Sequence, residues 1–164
     1  MLATLEHSDL AVWVRESPSL FSYTLILSLH AIGLAIVVGT STLIALRLLG
    51  VASGIPLEAL RRFYPVIWFG FWINALSGVL LFIAEATAMS AMPAFWAKLA
   101  FVFAGMVLGQ QIRTRCLDVP GAAAGVVSAA GRKLAAVSLA CWYLALIVGR
   151  LTGYPELVKS WFGT

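Results

Sequence analysis

Thirty consecutive residues, Ser17 to Leu46, carry no charged side chain when histidine is counted as neutral. A hydrocarbon slab about 30 Å thick needs about 20 apolar helical residues to cross. This stretch exceeds one crossing and predicts a span that tilts or protrudes. Three more apolar stretches follow: residues 63–84, a shorter uncharged core at 99–112, and Leu134–Gly149 between Lys133 and Arg150. Lipid offers backbone N–H and C=O groups no partner, so each stretch must satisfy its own backbone as helix. The expected fold is all-α, a polytopic membrane four-helix bundle with short interfacial N- and C-terminal helices. One integral membrane domain is expected over residues 1–164, with spans near 19–49, 65–89, 94–115 and 132–151.

Composition excludes the soluble alternative. Hydrophobic residue types make up 62% of the chain and charged types 11%, against about 25% charged in a typical soluble domain. The formal charge of +4 is spread over the flanks of the apolar stretches, where membrane anchors and topology signals belong. A nucleic-acid reader would gather its cations into a stripe, so no nucleic-acid partner is expected. Cys116 and Cys141 fall in a connection and an apolar run, with no CxxC, CxxCH or zinc-ligand spacing. The chain shows no P-loop, Rossmann fingerprint, zinc hydrolase pattern or nucleophilic triad. Glu6 and Asp9 stand where a secretory leader would carry basic residues, so the first apolar run is expected to be retained.

Punctuation places the ends. Ser8 suits the cap of a short helix over residues 8–16 whose Trp13 fits the headgroup boundary. Pro18, Pro65 and Pro155 suit first helical positions, because proline there leaves no unpaired amide. Pro93 and Pro120-Gly121 mark breaks. The run Ala122–Gly131 reads as loop or as a helical extension, and Glu156–Phe162 as a second interfacial segment with Tyr154 and Trp161. Four spans put both termini on one side. Seven basic residues (Arg47, Arg61, Arg62, Arg113, Arg115, Arg132, Lys133) flank the loop side, against four (Arg15, Lys98, Arg150, Lys159) on the terminal side. The asymmetry predicts cytoplasmic loops and, in a bacterial inner membrane, periplasmic termini.

Polar groups inside the apolar stretches are the candidates for function. His30 lies well inside the first stretch, near the helical face of Ser22, Ile26, Gly33, Val37 and Ser41. A neutral imidazole there needs partners: a neighbouring helix, a haem iron or metal, or a proton or substrate relay. On the second span Asn74, Ser77, Gly78, Leu81 and Glu85 approximate one stripe facing protein. Glu85 and Lys98 belong to the same membrane side as His30, which suggests a polar cluster of His30, Glu85 and Lys98. Both also suit a plain boundary role among headgroups. A cofactor site would use His30 as the axial or metal ligand, with Gly33, Asn74, Gly78 and Glu85 around it. A second axial histidine is lacking, because His7 lies in the N-terminal extension. Met89, Met92 or Met106, or a histidine from another subunit, would have to serve. Gly105 and Gly109 form a GxxxG pattern suited to close helix packing. Trp142 lies deep enough to need an N–H partner or a pocket edge.

The residues Ser28-Leu29-His30-Ala31-Ile32-Gly33-Leu34, Gly39, Leu46-Arg47-Leu48-Leu49-Gly50, Trp68-Phe69-Gly70-Phe71-Trp72-Ile73-Asn74, Ser77-Gly78, Leu81-Phe82 and Pro93-Ala94-Phe95-Trp96-Ala97-Lys98 resemble an uncharacterised bacterial family of small four-helix integral membrane proteins. The likeness covers roughly residues 10–115 and implies a membrane fold without an established reaction. A weaker likeness, at His30 and Leu46-Arg47, is to membrane b-type haem proteins and haem-linked protoporphyrinogen oxidases. It implies haem b as cofactor and His30 as its ligand, although the bis-histidine pattern is missing. The leading expectation is an inner-membrane protein binding haem b or taking part in redox chemistry through His30. The alternative is a structural or accessory subunit of a larger membrane complex, and the third a small oligomeric transporter. Membrane lipids and a homo-oligomer or larger complex are the expected partners.

Overall fold

The computed structural model describes residues 2–51, 53–119 and 125–154. Helices α1 (Leu2–Glu6) and α2 (Asp9–Glu16) precede α3 (Tyr23–Leu49). A short α4 (Leu57–Leu60) passes through a 3-10 turn at Arg61–Phe63 into α5 (Tyr64–Ala84). Then come α6 (Ala86–Ala91), α7 (Pro93–Ile112), a π-helical turn at Arg113–Leu117, and α8 (Ala129–Leu151). The described residues contain no strand. Four helical stretches, Tyr23–Leu49, Leu57–Ala84, Pro93–Leu117 and Ala129–Leu151, are long and apolar enough to cross a membrane.

The helix ends follow local chemistry. Ser8 caps α2, its hydroxyl accepting from Ala11 N–H at 3.3 Å, and Ser128 caps α8 by accepting from Gly131 N–H at 3.1 Å. Gly50 ends α3 in the left-handed region, φ +95°, with Gly50 N–H on Arg47 C=O at 3.2 Å and Val51 N–H on Leu46 C=O at 3.0 Å. That pairing satisfies carbonyls the helix cannot, and glycine alone adopts the angle without strain.

Three boundaries differ from expectation. The first span starts at Tyr23 rather than near Pro18, because the Ser22 hydroxyl donates back toward Ser17 C=O (3.1 Å) and Ser19 C=O (2.7 Å) and tightens a turn there. The second does not run on to Met89; the backbone breaks at Glu85, φ −135° and ψ 38°, and α6 departs from it. The fourth begins earlier, at Ala129, so the end of the Ala/Gly-rich run is helical and Gly125–Ser128 is not. The expected C-terminal interfacial segment lies outside the described residues.

The bundle order follows from who packs on whom. Helix α3 packs on α5 and on α8, and α7 packs on α8. Side chains close the remaining seam between α5 and α7: Phe82 stacks on Phe95 at the terminal end, centroids 5.3 Å apart, and Tyr64 donates its O–H to Gly109 C=O at 2.8 Å toward the loop end. Helices α3 and α7 are therefore diagonal partners.

The main apolar cluster fills the loop half, where Val37, Ile44, Leu48, Leu57, Leu60, Ile67, Ile112 and Trp142 are buried. Arg47, expected as a boundary anchor, is buried too and donates from Nε to Ile55 C=O. Asp118 ties that end together, accepting from Arg61 at 2.8 Å and Arg113 at 3.2 Å. At the terminal end Val14 of α2 packs with Ile26 and Ala84, and Arg15 donates to Ala84 C=O at 3.1 Å, satisfying a carbonyl at the end of α5. Outward residues are large and apolar, Phe103 72% and Leu76 64% exposed. In water such a surface would drive association; against acyl chains it is the matching one.

Close approach of α3 and α5 depends on glycine. A Cβ on Gly33 would stand 2.6 Å from Asn74 N and 2.8 Å from Gly70 O, both backbone atoms that cannot step aside. A Cβ on Gly39 would meet nothing within 4 Å. Gly33→Ala is expected to destabilise the bundle by about 1–3 kcal/mol through overpacking. Gly39→Ala is expected to be neutral or to stabilise by up to about 1 kcal/mol through helix propensity. Thermal denaturation of the two variants in detergent reads the contrast, and equal melting temperatures would contradict the contact.

Helix α1 lies on α6, and Glu6 Oε2 accepts from Thr87 N–H at 3.3 Å. Hydrogen bonding from Thr87 holds the Glu6 carboxyl below the usual carboxylate range. A carboxylate whose folded pKa is depressed contributes above its unfolded pKa, and the contribution is lost as pH falls through the folded value. The Thr87 amide, whose hydrogen Glu6 accepts, is therefore expected to lose protection only in acid below the ordinary glutamate range. Glu6→Gln should flatten that dependence in pH-corrected hydrogen-exchange mass spectrometry.

Candidate functional site

The polar centre of the bundle is built on His30, which enters from α3 at the terminal half. Its Nδ1 lies 3.0 Å from Asn74 C=O on α5 and 3.3 Å from Ser77 Oγ. A carbonyl only accepts, so Nδ1 carries the hydrogen and neutral His30 keeps its lone pair on Nε2. Ser77 sends its own hydroxyl hydrogen to Ile73 C=O at 2.6 Å, which leaves its oxygen free to share the Nδ1–H. Asn74 returns the bond: Nδ2 donates to His30 C=O at 2.8 Å. Each residue thus binds the other's backbone with its side chain, fixing both rotation of the ring and register of the helices.

Nε2 faces Lys98 of α7, whose Nζ stands 3.3 Å away across the diagonal. Room for the pair comes from two glycines on the other diagonal. A Cβ on Gly78 of α5 would come within 3.0 Å of His30 Cε1, and one on Gly149 of α8 within 3.2 Å of Lys98 Cδ. All four spanning helices therefore shape one contact. Lys98 is half-buried, its alkyl stem lying over Gly149, the way a long cationic side chain crosses apolar surface.

The expected site residues are only partly brought together. His30, Asn74, Gly78 and Lys98 meet, and Ser77 from the same stripe joins them. Glu85 does not: it sits at the break between α5 and α6, and among the described residues no ion pair joins it to Lys98. Gly33 is pressed against the α5 backbone, so it opens no slot beside the imidazole. Met106 lines a small cavity of about 20 Å³ with Tyr64, Gly105 and the buried Trp142 in the loop half, two turns beyond Lys98, or roughly 12 Å along α7. Trp142 takes the pocket-edge role, and Gly105 of the GxxxG pattern seats its ring, where a Cβ would be 2.7 Å from Cε2. Among the described residues no group of three or more His, Cys, Asp or Glu side chains is placed to hold a metal ion. Gly149 was not singled out from the sequence, since a glycine before a boundary arginine has no local signature of a lysine lying across it.

Comparison with protein-family models, with curated proteins and with solved structures finds no match.

Gly149→Val is expected to push the Lys98 stem aside and break its approach to Nε2, while the His30–Asn74 exchange holds. The imidazole ¹⁵N spectrum of His30 should then change at Nε2 and stay nearly constant at Nδ1. Parallel changes at both nitrogens would contradict this division. Asn74→Leu should remove the Nδ2 half of the exchange, leave Nδ1 on the backbone carbonyl of position 74, and cost on the order of 1 kcal/mol for the lost hydrogen bond.

Proposed function

We propose that His30 and Lys98 are the working centre of an integral membrane protein, an acid–base couple that takes up and hands on a proton in the terminal half of the bundle. The observation that carries this reading is the 3.3 Å approach of Lys98 Nζ to the His30 Nε2 lone pair. No carboxylate forms an ion pair with either group among the described residues. Two full charges at that separation in a poorly polarisable interior repel strongly, so the couple holds one proton between two nitrogens. Transfer from Nζ to Nε2 breaks an N–H bond on the amine and forms one on the ring. It leaves a neutral lysine and an imidazolium still anchored through Nδ1 to Asn74. An ionisable pair retained inside a membrane bundle suits proton-coupled redox or transport chemistry.

Haem b ligation by His30 has one feature in its favour: an Nδ1–H held by a carbonyl is how ligating histidines are oriented. The donor set as folded does not fit. Nε2, the remaining ligating atom, is engaged by Lys98, no slot flanks the ring at Gly33, and Met106 belongs to the other half. No step is therefore routed through haem. The location we propose with this reading is a bacterial inner membrane with periplasmic termini, from the charge asymmetry of the flanks. Lipids and further copies or a larger membrane complex are the proposed partners.

The test uses the full chain carrying His7→Gln, so that His30 is the sole histidine, ¹⁵N-labelled and reconstituted in lipid nanodiscs. At neutral pH one bare and one protonated ring nitrogen are expected, with the bare one perturbed by Lys98. Lys98→Met should shift that resonance and move the midpoint of the His30 titration, whereas Lys159→Met should do neither. An unchanged titration in Lys98→Met would overturn the couple. A Soret band in the same preparation that vanishes with His30→Ala would overturn it in favour of haem.

A further inference from the structure

A second site lies at the opposite end of the bundle and is independent of the His30–Lys98 reading. We infer that the groove between the end of α7 and the start of α8 binds the phosphodiester of an anionic phospholipid. The π turn at Arg113–Leu117 widens the end of α7, closing with Asp118 N–H on Arg113 C=O at 2.8 Å. Such local widening re-aims the side chains that follow it. Beside it opens a groove of about 320 Å³, lined among others by Leu108, Arg115, Cys116, Lys133, Leu134 and Val137.

The lining is tiered as a lipid is tiered. Arg115 and Lys133 stand at the loop end, while Leu108 lies two turns deeper on α7 and Val137 one turn deeper on α8. Val137 is half exposed, so the groove runs without a rim onto the surface that faces acyl chains. Both cations are exposed, and neither forms an ion pair among the described residues. The nearby acid, Asp118, is already shared by Arg61 and Arg113. The floor is set by Gly131, whose missing Cβ would lie 3.0 Å from Cys116 Sγ, so α7 and α8 approach there and bring the two cations onto one opening. The first turn of α8 adds the positive end of its helix dipole. Cations over an apolar trough between spanning helices match an anionic lipid, whose chain is held in the trough while its phosphate meets the charges. A zwitterionic lipid brings its own cation and gains less.

The test takes the full chain with Cys141→Ala, leaving Cys116 as the sole thiol inside the groove. Nanodiscs of phosphatidylcholine alone or mixed with phosphatidylglycerol are treated with a maleimide, and the rate at Cys116 is followed. Phosphatidylglycerol should slow labelling several-fold. The slowing should vanish in the Arg115→Gln/Lys133→Gln double variant, where both changes are on exposed side chains. In parallel, native mass spectrometry from the mixed discs should retain one phosphatidylglycerol on the parent protein and on Arg150→Gln, and none on the double variant. Equal labelling in the two disc types, or a retained lipid on the double variant, would overturn the proposal. Slowing by inorganic phosphate in phosphatidylcholine discs would also overturn it, assigning the groove to a free anion.

Discussion

The meeting of α3 and α5 backbones at Gly33 and Gly70 is the constraint from which the polar centre follows. In lipid, apolar side chains gain little by leaving the acyl phase for one another, so helices associate where small residues let backbones approach and where polar groups find each other. At this crossing both occur within one turn. The backbones come close enough for His30 and Asn74 to exchange side-chain-to-carbonyl bonds, at 3.0 and 2.8 Å. Larger residues at the two glycines would separate the helices and take the His30 Nδ1–H and the Asn74 side-chain amide away from these partners in an apolar surrounding. Ring orientation, the direction of the Nε2 lone pair and the meeting with Lys98 are all downstream of that contact.

The two ends of the bundle carry different burdens. The loop half holds most of the buried apolar residues, Asp118 between two arginines, and the Tyr64–Gly109 bond across the α5–α7 seam. It is the packed half. The terminal half has few buried apolar residues and is closed by α2 leaning on α5 and by the Phe82–Phe95 stack. The contact of His30 with Lys98 lies in that half, beside the His30–Asn74 bonds that hold α3 and α5 in register there.

Much of this was legible in the residues themselves. Long uncharged runs dictate helices in lipid, and their apolar character on every face explains why Phe103 and Leu76 point outward without penalty. His30, Asn74, Ser77, Gly78 and Lys98 stand out because each is costly or conspicuously small in an oily stretch. The failures have equally physical causes. Glu85 was grouped with His30 by membrane side and set on the α5 stripe by periodicity, with a boundary role as the other reading; the stripe assumes that the helix continues, and the backbone breaks at that residue. Gly33 was placed around a cofactor site at His30, whereas the space beside it is filled by a neighbouring backbone.

The sequence by itself determined the solvent, the secondary structure and which polar groups had to be explained, because hydrophobicity and spacing act along the chain. The tertiary structure alone decided that Lys98, and not Glu85, faces His30, and that Gly78 and Gly149 clear the space between them. Those facts depend on the order of helices around the bundle and on their rotation. Contacts between residues far apart in the chain set both, and no local pattern encodes them.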